Sequence, residues 1–318
     1  MAKGKTGLMR WVIGDRQFME VPRATIDLLQ AAMNDLSEIV DIEQKFEILY
    51  SNFIELEQEV AVCTLRETYR HATSVTELFD YTLAVTRRVG NLLSSGRLYV
   101  DQVKQHISTL FPKDAVIKSE VEGYFSREYD SLLGYRVMEA LRNYSQHRGL
   151  PVHGMSHAAS RVDDELPTMR LEHNAALNIF MRELKSDGSI KAKVMAELSE
   201  LGETIDLKPL IREYVEGLAN VHLKIRALLD TRRKQAEGMV SEWRERFRQH
   251  AKLDKAPVGL VAGRAFKDRT AEKFFALTDN PMIYAAALRA RTSAIGHLSH
   301  RAVSTRRIVK KDGSLTRK

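Results

Sequence analysis

The chain has 318 residues, 44% apolar and 29% charged, with 49 Lys and Arg against 42 Asp and Glu. That is the balance of an ordinary globular protein, long enough for about two domains and able to bury a sizeable core. A single cysteine, Cys63, excludes an intramolecular disulfide and any zinc site built on paired cysteines. No run of about 18 apolar residues could cross a bilayer, and the opening MAKGKTGLMR lacks the apolar core of a signal peptide, so the expectation is a cytoplasmic protein without a membrane partner. His153 and His157 have the spacing of a helical ligand pair, but Gly154 follows the first of them and Pro151 lies just before, which speaks against a zinc helix.

Charge is distributed unevenly. Residues 231–318 hold 21 Lys and Arg against 8 Asp and Glu, so a basic end follows a mildly acidic body. Such an end suits a polyanion held by counterion release, or is simply a solvated tail.

In chain order, Leu8 to Val21 reads as a β-hairpin: Trp11, Val12 and Ile13 precede a Gly14-Asp15 turn, with Phe18, Met19 and Val21 after it. A lone two-stranded hairpin is marginal, so it must lean on something else. From Leu36 a heptad begins, with Ile39, Phe46, Phe53 and Val60 seven apart and Ile42, Leu49, Leu56 and Cys63 between them. It predicts one long helix to about His71, with Cys63 an inert seam residue. Ser74-Val75-Thr76-Glu77 is a capping box opening a second helix, which Ser94, Ser95 and Gly96 are expected to end. Val100 to Phe111 forms a third helix, stopped by Pro112, and residues 114–127 form a connector.

Tyr135 to Pro151 follows. Val137, Ala140, Leu141 and Tyr144 make a buried helical face, and Gly149 and Pro151 stop the helix. His153–Val162 and Thr168–Ala175 read as a second hairpin across 163–167, with His153, His157 and His173 as surface histidines near the preceding helix end. A second helical region begins at Ser189. Asp206 caps a long helix with Pro209 in its first turn, and Arg232, Arg233 and Lys234 are expected to interrupt its apolar repeat. Pro281 opens a short helix to about Ser293. The fold class is therefore mainly α: residues 1–24 an N-terminal hairpin, 25–186 a helical bundle, 187–303 a second helical region and 304–318 a disordered basic tail.

Arg142, Asn143 and His147 lie in the last two turns of the Tyr135 helix, and the stretch RNYSQH resembles the signature of the HEPN superfamily of helical ribonuclease domains, an Arg, a polar residue and a His after four to six intervening positions. The bare spacing recurs at Arg66/His71, Arg148/His153, Arg244/His250 and Arg291/His297, but only Arg142 is followed by Asn. The resemblance covers about residues 34–150 and implies a metal-independent endoribonuclease that needs no cofactor. In that reading the 2′-OH of the RNA attacks phosphorus, His147 moves the proton, Arg142 forks onto phosphate oxygens and Asn143 orients either group. Five helical residues turn a side chain by about 500°, or about 140° net, and advance it about 7.5 Å, so one straight helix aims Arg142 and His147 apart. Either the helix loosens near Gly149 or two copies combine, and the resemblance implies a homodimer. Arg232, Arg233, Lys234, Arg306, Arg307, Lys310 and Lys311 are the candidate RNA-binding cations. Two other readings stay open: a non-catalytic nucleic-acid or nucleotide-binding module, and a helical interaction protein whose basic tail binds an acidic partner.

Overall fold

In the computed structural model the described residues are 5–13, 17–70, 74–162, 170–188, 190–265, 271–301 and 303. The expected mainly α fold holds, with both hairpins and the long helix of the second helical region in place. Helix α1 spans Arg23–Arg70 and buries the heptad face from Ile39 through Phe46, Phe53 and Val60 to Cys63. It begins well before Leu36, because Ile26, Leu29, Met33 and Leu36 carry the same spacing back to Pro22, whose carbonyl accepts from the Ile26 N–H. Burial pushes the Cys63 thiol up to about 11, which fits an unreactive core residue.

Ser74 caps α2 (Val75–Leu110) as the box predicts, its hydroxyl accepting from the Glu77 N–H at 3.2 Å. The expected stop at Ser94-Ser95-Gly96 does not occur. The Ser94 and Ser95 hydroxyls donate back to the Gly90 and Leu92 carbonyls, and Gly96 sits where the Tyr214 ring crosses, so these small residues mark a close helix contact within one continuous helix. Asp114 caps α3 (Ala115–Ser131), and the single extended residue Leu132 separates it from α4 (Leu133–His147). Gly134 at the start of α4 approaches the Leu210 carbonyl too closely for a side chain, and its N–H donates to Glu213 Oε2 at 2.5 Å. Arg136 fixes the corner: its guanidinium donates to both Glu197 oxygens at 3.0 Å and to the carbonyls of Tyr129 and Asp130.

Strands β3 (Gly154–Val162) and β4 (Arg170–Phe180) pair antiparallel with His157 opposite Ala175. β4 runs five residues past the expected end, since Leu177, Asn178 and Ile179 are buried. After α5 (Met181–Asp187) and α6 (Ala192–Glu200), strand β5 (Thr204–Asp206) joins β4 and completes a three-stranded sheet. Asp206 then caps α7 (Leu207–His250), accepting from the Lys208 N–H at 3.1 Å.

Helix α7 is continuous, and Arg232, Arg233 and Lys234 interrupt its apolar repeat as expected: these residues face carboxylates on its flank while Leu229, Ala236 and Val240 stay on the buried side. It runs antiparallel to α1, since Arg212 pairs with Glu57, Arg226 with Glu43 and Arg232 with Asp35. One core lies among α1, α2, α3, α4, α7 and the β3–β4–β5 sheet.

A second core gathers the start of α1, the end of α7 and a four-stranded antiparallel sheet. In that sheet β1 (Lys5–Arg10) lies between β2 (Phe18–Glu20) and β6 (Leu260–Ala265), and β7 (Ala271–Ala276) is the far edge. This is the support the N-terminal hairpin needs, and it comes from the β6–β7 hairpin, for which the sequence analysis offers no strand. Trp11, Val12 and Ile13 fall past the end of β1 rather than in it, Trp11 stacking on Phe274 with centroids 4.8 Å apart. The Gly14-Asp15 turn lies outside the described residues. Helix α8 (Asn280–Arg291), opened by Pro281 as expected, and a 3-10 turn at Leu298–His300 close the described chain.

Candidate functional site at the end of α4

Burial of Tyr135, Val137, Met138, Leu141 and Tyr144 against the core turns the opposite face of α4 outward. The helix ends at His147, where the Arg148 and Gly149 N–H groups both return to the Tyr144 carbonyl, at 2.9 and 3.3 Å. Arg142 is half-buried, and its Nη1 donates to Asn143 Oδ1 at 3.2 Å. Its Nε–H is enclosed and has no hydrogen-bond partner among the described residues. Asn143 and His147 are exposed, and the His147 ring makes no hydrogen bond or ion pair with the described residues. One turn earlier Glu139 lies 3.8 Å from Arg97, which also holds Asp101. Burial raises the Glu139 carboxyl, against the pull of Arg97 and Arg142. Because α4 stays helical through His147, Arg142 and His147 keep their divergence of about 140° on one chain.

Three of the other matches to the same spacing are engaged elsewhere. Arg244 donates to the Leu277 carbonyl and faces Asp279, Arg291 lies 3.6 Å from Glu47, and His153 Nδ1 accepts from the Phe180 N–H at 2.9 Å. His71 lies outside the described residues. His153, His157 and His173 are partly buried rather than surface histidines, because the hairpin folds back over the bundle. His153 comes nearest to α4, its ring edge-on to Tyr144, and burial lowers the pKa of His153 and His157 alike. No group of three metal-ligating side chains occurs among the described residues.

The candidate RNA-binding cations divide. Arg232 forks onto Asp35 at 2.7 and 2.8 Å and lies over the Phe111 ring. Arg233 bridges Asp230 and Glu237, and Lys234 lies 2.7 Å from Asp230, whose carboxyl these two cations hold down at about 2. Arg306, Arg307, Lys310 and Lys311 lie outside the described residues.

A different polar cluster, which sequence reading missed, sits inside the larger core. Tyr99 donates its hydroxyl proton to His222 Nδ1 at 3.0 Å, and His222 Nε2 donates to Glu43 at 3.2 Å. Phe46 stacks on the imidazole with centroids 4.0 Å apart. Arg226 and Arg289 add their charges to the Glu43 carboxylate at 2.9 and 3.0 Å. Burial alone would raise Glu43, but hydrogen bonds from His222 and Arg226 hold it at about 2; burial drives His222 down to about 4. A Tyr–His–Glu relay is a proton path in form, yet His222 is 0% exposed and Glu43 3%, so no substrate reaches it in this arrangement. The signal was present as polar residues within apolar repeats: Glu43 between Ile42 and Phe46, His222 between Val221 and Ile225.

Compared with protein-family models, curated proteins and solved structures, the chain matches none of them. No described helix is long and apolar enough to cross a membrane.

Proposed function

We propose that the chain is a HEPN-like, metal-independent endoribonuclease whose site is built at the C-terminal end of α4. One observation carries the reading. Among the described matches to the motif spacing, Arg142/His147 alone pairs an arginine that has no carboxylate at ion-pair distance with an exposed, unengaged imidazole. In the proposed reaction the 2′-OH attacks the neighbouring phosphorus and loses its proton to solvent water, the P–O5′ bond breaks, and His147 gives its proton to the leaving O5′. Arg142, steadied by Asn143, takes the charge that develops on the phosphate oxygens. The divergence of the two side chains favours a composite site in which one α4 supplies Arg142 and the partner's α4 the histidine.

The test is cleavage of single-stranded RNA by purified protein in excess chelator. The expected products carry 2′,3′-cyclic phosphate ends, and His147→Ala and Arg142→Ala abolish them with unchanged circular dichroism, whereas Arg66→Ala retains activity. Absence of cleavage by the unaltered protein, or undiminished cleavage by either α4 variant, rejects the reading.

A further inference from the structure

Residues 279–300 lie as a single strap in the groove between α1 and α7. Its contacts fix the path: Asp279 meets Arg244, Thr292 meets Arg226 and the Ser299 N–H donates to Glu216, so the strap descends α7 as its own numbering rises. On the other side Arg289 meets Glu43 and Arg291 meets Glu47, parallel to α1. Its apolar anchors are few. In α8 only Ala285 and Leu288 are buried, followed by Ile295 and Leu298, while Ile283 and Tyr284 face outward. Polar contacts therefore carry an unusual share of the docking. Their centre is Glu43, which accepts from Arg226 and lies 3.0 Å from Arg289, while Arg226 Nη2 donates to Thr292 Oγ1 at 2.6 Å.

The energetics of such a centre differ from those of an apolar seam. A buried ion pair gives up the hydration of both partners when it forms, and its net contribution is small against the fully hydrated open state. Removing one partner is different, because the remaining charges are left buried without compensation. An element held this way opens locally more readily than one sealed by large side chains. Glu43, which Arg289 of the strap reaches, is bonded to His222 and through it to Tyr99, buried polar groups that the proposed cleavage at α4 does not use.

We propose that residues 279–300 are a releasable strap latched on Glu43, and that its opening uncovers the Glu43–His222–Tyr99 relay while α1 and α7 stay packed. The strap is held from both sides by the arginines of α7 and of the strap itself, so the latch works only while Glu43 is a carboxylate. This proposal is independent of the reading of α4.

Native-state hydrogen exchange of the full chain, resolved by peptide, tests it. Amides of 280–291 and 298–300 are expected to exchange as one unit through an opening more frequent than that of α1 and α7. Glu43→Gln leaves Arg226 and Arg289 without their counter-charge and should speed exchange in the strap on the order of tenfold more than in the α1 and α7 core. Arg289→Gln, which alters the strap alone, should do the same if Glu43→Gln fails to fold. Exchange of the imidazole C2 proton of His222 reports the second half, and should rise in step with the strap amides. Strap amides that exchange together with α1 and α7 overturn the proposal, as does acceleration spread evenly over the chain in both variants. Faster strap exchange with an unchanged His222 rate overturns the claim that opening uncovers the relay.

Discussion

The hydroxyl of Tyr214 on α7 occupies the space that a Cβ on Gly96 of α2 would need. Gly96→Ala should therefore destabilise by overpacking, typically by about 1–3 kcal/mol, read as a lower urea midpoint with an unchanged slope. Adding Tyr214→Phe, which removes the colliding oxygen, should recover part of that loss. Equal midpoints for Gly96→Ala and the unaltered protein would show that α2 and α7 separate at no cost.

His222 and Glu43 make stability depend on pH with one sign. Burial depresses His222 from 6.5 to about 4, so its neutral form stabilises the fold fully above pH 6.5 and that contribution falls as pH drops towards 4. Glu43, held at about 2 against 4.5, adds a further loss below pH 4.5. Each single-proton step contributes up to about 1.4 kcal/mol per pH unit within its window. Unfolding midpoints should fall between pH 6.5 and 4, and His222→Gln, itself less stable at neutral pH, should flatten that slope. A slope identical in the variant would assign the dependence to other groups.

If two copies share one site, mixing inactive Arg142→Ala with inactive His147→Ala protein should restore cleavage, because some mixed dimers carry one complete site. The measurement needs subunit exchange shown independently, for example by mass-tagged chains. No rescue under exchange would mean that each chain works alone.

Cutting the chain after Val303 removes Arg306, Arg307, Lys310, Lys311, Arg317, Lys318 and one acid, Asp312. Affinity for RNA should fall, and the log-log salt slope should shrink by up to about 0.7 per lost phosphate contact. Turnover at saturating substrate should persist, since Arg142 and His147 are untouched. Unchanged affinity and slope would leave the tail with no part in binding.

Periodicity made much of this fold legible. The heptad of α1, the helix caps at Ser74 and Asp206, and the stop at Gly149 each rest on local spacing, and each stands in the structure. Errors arose where tertiary contact decides what a local signal means. Ser94-Ser95-Gly96 is a helix stop by composition, but a contact surface once Tyr214 lies against it. Arg232-Arg233-Lys234 does interrupt the apolar stripe, but the pairing of Arg232 with Asp35 exists only once α1 lies against α7. The α4 residues could be named from their order alone; the enclosure of Arg142 and the freedom of His147 could not, because both depend on what packs around the helix end. Glu43 and His222, 179 positions apart, meet only because α1 and α7 run antiparallel.

Leu8 of β1 pairs with Ala262 of β6, so the central strands of the four-stranded sheet come from segments about 250 positions apart. On a ribosome adding roughly 5–20 residues per second, β1 waits roughly ten seconds or more for its neighbour. Throughout that wait its inner edge offers unpaired N–H and C=O groups, and Leu8 lacks the part of its cover that α7 and β6 supply. The nascent chain therefore carries an open strand edge until β6 has been made. Any holdase or premature pairing with another nascent copy would act there first, and arrest before residue 260 would leave that edge permanently bare.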